Sequence, residues 1–257
     1  MKKLSVLLIA LALVAGFSSC KDPKDPKNEQ TPYDNLNPKQ ESWALCLDYT
    51  GSWCYYCGQW GTSSLDAAVN VGRTVGIAIK ISPDPQAAPS ALEQSFESDR
   101  PLNGGTPTLY AGDLCKDDQV ASYCQQLINK PCVIGIDAAQ EVKDNTMSVY
   151  VKTKNFEAIN ASDYYMVAYL LEDGLHYNQE GSNSDLHNFI LRKASSGNNY
   201  YGAQLMTDGA ANAEFTHTFT FDLTGYNAAN CYAAIVIYKK ATGTPTYKFV
   251  NSFWTRK

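Results

Sequence analysis

Leu47-Asp48-Tyr49-Thr50-Gly51-Ser52-Trp53-Cys54-Tyr55-Tyr56-Cys57 decides how this chain is read. The stretch joins a short apolar run to a pair of cysteines two residues apart. Trp43 to Tyr49 reads as a buried strand. Cys54 to Asn70 reads as a helix, although Gly58 and Gly61 weaken its first turns. The two-residue spacing places both sulfurs on one helical turn, close enough to bond. Cys54 opens the helix, where unpaired N–H groups and the helix dipole favour a thiolate. Only the thiolate attacks a disulfide, so this position suits a nucleophile. A structural disulfide and half of a zinc site are the competing readings of such a pair. No second Cys-x-x-Cys and no histidine pair supplies the rest of a zinc site. No metal and no cofactor is expected.

From Ser42 to about Asn129, strand-like and helix-like segments alternate. Val75 to Ile81 is β-branched and reads as a central parallel strand, Ala87 to Phe96 as a helix, Thr108 to Tyr110 as a strand and Asp117 to Asn129 as a helix. With its Trp53-Cys54-x-x-Cys57 after a strand, this region resembles the thioredoxin family. Asp48, six residues before Cys54, matches the family's buried acid, and Gly105-Thr106-Pro107-Thr108 resembles its cis-proline loop. Lys80 matches a strand lysine often found near that acid. The resemblance implies that Cys54 attacks, Cys57 resolves, Asp48 accepts a proton, and Thr106-Pro107 faces the dithiol and pairs with a substrate backbone. A buried carboxylate has a raised pKa, which suits proton exchange. Tyr55-Tyr56 departs from the intervening pairs of well-known reductants and oxidants, so the direction of electron flow is open.

After Pro131 the composition changes. Val133–Val142, Met147–Lys154, Tyr164–Leu171, Asn188–Lys193, Glu214–Asp222, Cys231–Lys239 and Thr246–Asn251 are strand-like runs separated by turn-forming groups. They predict an all-β sandwich. The expected organisation is an α/β thioredoxin-like domain over 42–131, followed by a β-sandwich domain over 132–257. Ala168-Tyr169-Leu170-Leu171-Glu172-Asp173-Gly174-Leu175, Asn178-Gln179-Glu180-Gly181 and Leu186-His187-Asn188-Phe189-Ile190-Leu191-Arg192 are similar to segments of the 28-kilodalton outer membrane protein family of Bacteroidota. That resemblance implies an outer-membrane lipoprotein and assigns no chemistry to the β-domain. His187 by itself reads as a strand-end hydrogen-bonding residue.

The N-terminus fits an exported chain. Lys2 and Lys3 precede an apolar run from Leu4 to Ala15, and Gly16-Phe17-Ser18-Ser19-Cys20 closes it. These are the parts of a secretory leader, with a run short of the ~20 residues that span a bilayer. Residues 1–19 read as a lipoprotein signal peptide and Cys20 as the lipidated residue, although Phe17 departs from the usual Leu. Residues 20–41 begin with a Lys-, Asp- and Pro-rich stretch and read as a disordered tether. The expected location is the outer membrane, lipid-anchored through Cys20, at the periplasmic face or the cell surface.

The net charge of −5 and the lack of a basic cluster argue against nucleic-acid binding. Of eight cysteines, seven remain after Cys20, in a compartment that favours disulfides. One pairing among several joins Cys115 with Cys124 and Cys132 with Cys231 and leaves Cys46 a free, buried thiol; the sequence leaves the others open. Two functions follow. One is a membrane-anchored thiol–disulfide oxidoreductase acting on envelope protein thiols or disulfides. The other is a surface binding module or adhesin with a structural Cys54–Cys57 bond.

Overall fold

Ala44–Thr50 forms strand β1, and all seven of its residues are buried. A strand buried on both faces is covered by packed layers, and its buried backbone groups need a hydrogen-bonded neighbour on each edge. One neighbour is β2, Thr74–Lys80, parallel to β1 from the pair Ala44–Thr74 to the pair Thr50–Lys80. The connection is helical from Tyr55: a π-helical stretch, Cys57–Gly61, leads into α1, Thr62–Asn70. Helix α2 is Ser90–Asp99. It starts three residues later than expected because Pro89, in an extended conformation, sets its first turn. Strand β3, Thr108–Ala111, runs antiparallel to β1 on its other side, pairs with β4, Leu114–Cys115, and is followed by α3, Val120–Ile128. This computed structural model describes residues 31–256. The expected leader, Cys20 and the start of the tether lie outside the described residues.

The second half is made of strands: β5 Ile134–Lys143, β6 Thr146–Asn155, β7 Tyr164–Glu172, β8 Leu175–His176, β9 Leu186–His187, β10 Ile190–Ala194, β11 Glu214–Asp222, β12 Cys231–Lys240 and β13 Tyr247–Trp254. Asp144 and Asn145, both with positive φ, make the tight turn between β5 and β6. Strands β11, β6 and β5 form a three-stranded sheet of their own. Strands β8 and β9 pair with each other, and β7, β10, β12 and β13 continue the first sheet, giving eight strands in the order β13-β12-β7-β10-β2-β1-β3-β4. The junction is the parallel pair of β10 and β2 at Ile190 and Ala78, where Ala78 N–H donates to the Phe189 carbonyl at 2.8 Å.

Sheet-on-sheet packing is therefore present, but its larger sheet is shared with the first half instead of closing within 132–257. The cause is the two-faced burial of β7 and β12. Met166, Ala168 and Leu170 pack with the small sheet, while Val167, Tyr169 and Leu171 join the core that holds Phe96 of α2. Strand β12 alternates in the same way, with Ala233, Ile235 and Ile237 on one side and Tyr232, Ala234 and Val236 on the other. The chain from Pro32 to the end makes one compact unit.

The last part of the stretch read as a tether is docked. Leu36 is buried, Asn37 N–H donates to Asp137 Oδ2 at 2.7 Å, and Tyr33 bonds Thr218 on β11. Tyr33 and Leu36 supply the apolar surface that the preceding Lys-Asp-Pro stretch lacks.

Arg100, just past α2, fastens the two halves together. It is fully buried. Its Nε donates to the Gly112 carbonyl (3.2 Å), and its Nη2 reaches Asp113 Oδ1 (2.5 Å) and the Tyr247 carbonyl of β13 (3.0 Å). Tyr200 and Tyr238 lie against its guanidinium face, 4.9 and 5.3 Å from the ring centroids. Removing one partner of a buried ion pair typically costs about 3–5 kcal/mol. Arg100→Met is expected to lower stability by that amount in urea unfolding with an unchanged slope; a loss below about 1 kcal/mol would contradict this role.

Candidate dithiol site

The end of β1 delivers the chain to the site. Asp84 holds the approach: its Oδ2 accepts from Ser52 N–H (2.5 Å) and its Oδ1 from Gln86 N–H (2.8 Å). Gly51 allows the Trp53 ring to lie against the backbone, since a Cβ there would meet the ring at 2.7 Å. Cys54 and Cys57 are joined as a disulfide, with Cα atoms 5.2 Å apart. Cys57 is fully buried and Cys54 is 6% exposed. Cys57 N–H donates to Cys54 Sγ at 3.1 Å, a contact that favours negative charge on that sulfur once the bond is opened. Cys54 Sγ lies 3.4 Å from the Thr106 carbonyl.

The Thr106–Pro107 bond is cis, and Pro107 packs on the π-helical stretch. A Cβ at Gly61 would meet the Pro107 ring at 2.8 Å, so the glycine that weakens the helix in isolation is what lets the loop approach. Trp53, Tyr55 and Tyr56 stand exposed around the disulfide. Tyr56 and Trp60 line one side of a shallow groove whose other side is Asn103 to Pro107.

Beside the helix that follows the disulfide lies a cavity of about 240 Å³, lined by Asp48, Thr50, Gly58, Lys80, Gln179 and His187 among others. Asp48 is 1% exposed, and burial pushes its carboxyl up to about 7, opposed by the Lys80 ammonium and aided by Asp66. Burial lowers the Lys80 pKa, opposed by Asp84, 3.9 Å away, and by Asp48. His187 Nε2–H donates to the Tyr177 carbonyl (3.1 Å), leaving Nδ1 to accept from Lys80 Nζ (3.1 Å). Burial, then the Lys80 charge, lowers the His187 pKa, which keeps the ring neutral in that role. His187 is the strand-end hydrogen-bonding residue expected, and its partner is the cavity lysine Lys80.

The structure thus brings Trp53, Cys54, Cys57, Thr106 and Pro107 to one place, and sets Asp48 in the cavity lined by Gly58 and Thr62 of the helix that follows. It adds residues that reading along the chain did not assign there. The segment between β7 and β10 lies as a strap along the dithiol helix. Glu180 N–H donates to the Ser52 carbonyl (2.8 Å), and Gln59 Nε2 donates to the Gly181 carbonyl (3.0 Å). A Cβ at Gly58 would meet the Glu180 carbonyl oxygen at 2.1 Å, so this glycine gives the strap its seat. Two glycines in the first turns of a helix were the available signal that something packs closely there.

The remaining cysteines do not pair as expected. Cys46, Cys115, Cys124, Cys132 and Cys231 are all free. Cys124 points into the core beside Cys46, whereas Cys115 is half-buried near Asp117. Cys132 lies near Asn251 Nδ2, and Cys231 packs in the core under the small sheet. Among the described residues, no group of His, Cys, Asp or Glu is arranged to hold a metal ion, and no helix is long and apolar enough to cross a membrane.

No protein-family model matches the sequence, nor does any curated protein. Among solved structures, HBP35 of Porphyromonas gingivalis aligns with a TM-score of 0.67 at 12% identity, covering 85% of this chain and 76% of that one. A domain of the outer membrane lipoprotein Omp28 from Porphyromonas gingivalis aligns at 22% identity over 48% of this chain and 86% of that domain, with a TM-score of 0.31. The chain shares its mixed α/β fold with HBP35.

Proposed function

We propose that the protein is a thiol–disulfide oxidoreductase of the cell envelope, built on a thioredoxin-like half and tethered to the outer membrane through Cys20. The observation that carries this reading is the Cys54–Cys57 disulfide with the Thr106 carbonyl 3.4 Å from Cys54 Sγ. The buried acid Asp48 lines the cavity beside the helix that Cys57 enters. The strand order β2-β1-β3-β4, with β1 and β2 parallel and β3 and β4 antiparallel, is the thioredoxin arrangement and supports the same reading.

In the reducing direction, the Cys54 thiolate attacks one sulfur of a substrate disulfide. A Cys54–substrate bond forms, and the other substrate sulfur leaves as a thiolate. Cys57 then gives its proton to Asp48 and attacks Cys54 Sγ. This closes the internal disulfide and releases the second substrate thiolate. The oxidising direction reverses each step: the substrate dithiol is oxidised to a disulfide, and its two electrons and two protons leave Cys54 and Cys57 as two thiols. An acid that titrates near neutrality takes up and returns that proton at little cost. The partners are envelope proteins whose cysteine-bearing segment extends along Thr106 in the groove beside Tyr56 and Trp60.

The 6% exposure of Cys54 favours a second reading, a binding module in which the disulfide is structural. Two experiments separate them. Cys57→Ser, which leaves Cys54 without its resolving partner, is expected to accumulate mixed disulfides with envelope proteins that vanish when Cys54 is also changed to Ser. No trapped partner, together with no insulin reduction by the parent, would sink the enzyme reading.

Asp48 gives a test of the site's electrostatics. Its folded-state pKa is raised, so stability is fully present below the unfolded value near 4 and is lost as pH rises through the folded value of about 7. Asp48→Asn is therefore expected to stabilise the protein by roughly 3–4 kcal/mol above pH 8 and to have little effect at pH 4. A pH-independent effect would contradict the buried, ionisable acid.

A further inference from the structure

Gln179, at the centre of the strap, touches the dithiol segment from a part of the chain more than a hundred residues away. It is 4% exposed. Its Nε2 lies 3.0 Å from the Cys54 carbonyl, 3.2 Å from the Gly51 carbonyl and 3.1 Å from the Glu180 carbonyl. Three carbonyl oxygens around one nitrogen fix the orientation of the amide, because the reversed one would set oxygen against oxygen. The opposite end, Oε1, is buried with no protein partner, as are Asp48 Oδ1 and Thr50 Oγ1, and all three residues line the cavity. The amide dipole therefore has its positive end on the backbone of the nucleophilic cysteine.

We infer that Gln179 is a positioning residue of the dithiol: its N–H groups hold the Gly51 and Cys54 carbonyls and favour negative charge on Cys54 Sγ. The inference rests on the oxidoreductase reading for its use, though not for its test. Carbonyls whose negative ends are met by N–H donors oppose a nearby thiolate less than carbonyls left bare. The same grip seats the strap on the helix, beside Gly58. The charged and titratable groups around Gln179 are Asp48, Asp66, Lys80, Asp84, Glu180 and His187. All are common to the variants compared below, so a difference between variants originates at position 179.

The test is the pH dependence of Cys54 alkylation in the reduced full chain, read on the Cys54 peptide by mass spectrometry. The variants are Gln179→Met, which keeps the volume and removes the donors, and Gln179→Glu, which keeps the length and replaces donors with acceptors. The midpoint is expected to rise by about half a unit to one unit in the Met variant and further in the Glu variant. A Met variant at the parent's midpoint, or equal shifts in the two variants, overturns the inference; equal shifts would mean that residue 179 acts through packing alone. The readout needs no substrate. Raised midpoints without insulin reduction would defeat only the oxidoreductase reading, and unchanged midpoints with insulin reduction would defeat only the role of Gln179.

Discussion

The placement of β10 beside β2 is the constraint on which the rest depends. One parallel pair, Ile190 with Ala78, makes a single eight-stranded sheet from two stretches that differ in composition and pattern. With β10 fixed next to β2 and β7 next to β10, the segment between β7 and β10 lies alongside the helix that carries Cys57. There it brings Gln179 to the Cys54 carbonyl and His187 to Lys80. The second half of the chain is thus part of the site and not an appendage to it.

The site combines an exposed side and a buried side. Outward, Trp53, Tyr55 and Tyr56 surround a nearly covered Cys54 with aromatic surface. Under the proposed function this aromatic cluster is the surface that a cysteine-bearing substrate segment would meet. Inward, Asp48, Lys80, Asp84 and His187 form a polar group beneath β-sheet and strap. Burial holds the acid up near neutrality and lowers the lysine pKa, so both sit closer to the pH at which thiols exchange protons.

Much of this was legible in the sequence, because it is local. The run ending at Tyr49, the Cys-x-x-Cys after it, the acid six residues earlier and the Thr106-Pro107 loop are read from spacing and resemblance. The strands of the second half follow from alternation and turn residues. What could not be read is non-local. The same apolar alternation in β7 and β12 fits a sandwich face and a shared central strand equally well, and only the pairing of β10 with β2 decides between them. Cysteine partners depend on which way Cys46 and Cys124 point across the core, which spacing does not reveal. Arg100 looks like any surface arginine at a helix end, until Tyr200, Tyr238 and Tyr247 arrive from the other half.

The reduction potential of the Cys54–Cys57 bond tests the central claim most directly. It can be measured in glutathione redox buffers through the fluorescence of Trp53. Structural disulfides of exported proteins lie below about −300 mV, and exchanging dithiols lie above it, to about −120 mV. A value between these limits, with full reversibility, is what a working dithiol requires. A bond that stays closed in reducing glutathione, with a potential below about −300 mV, would contradict it.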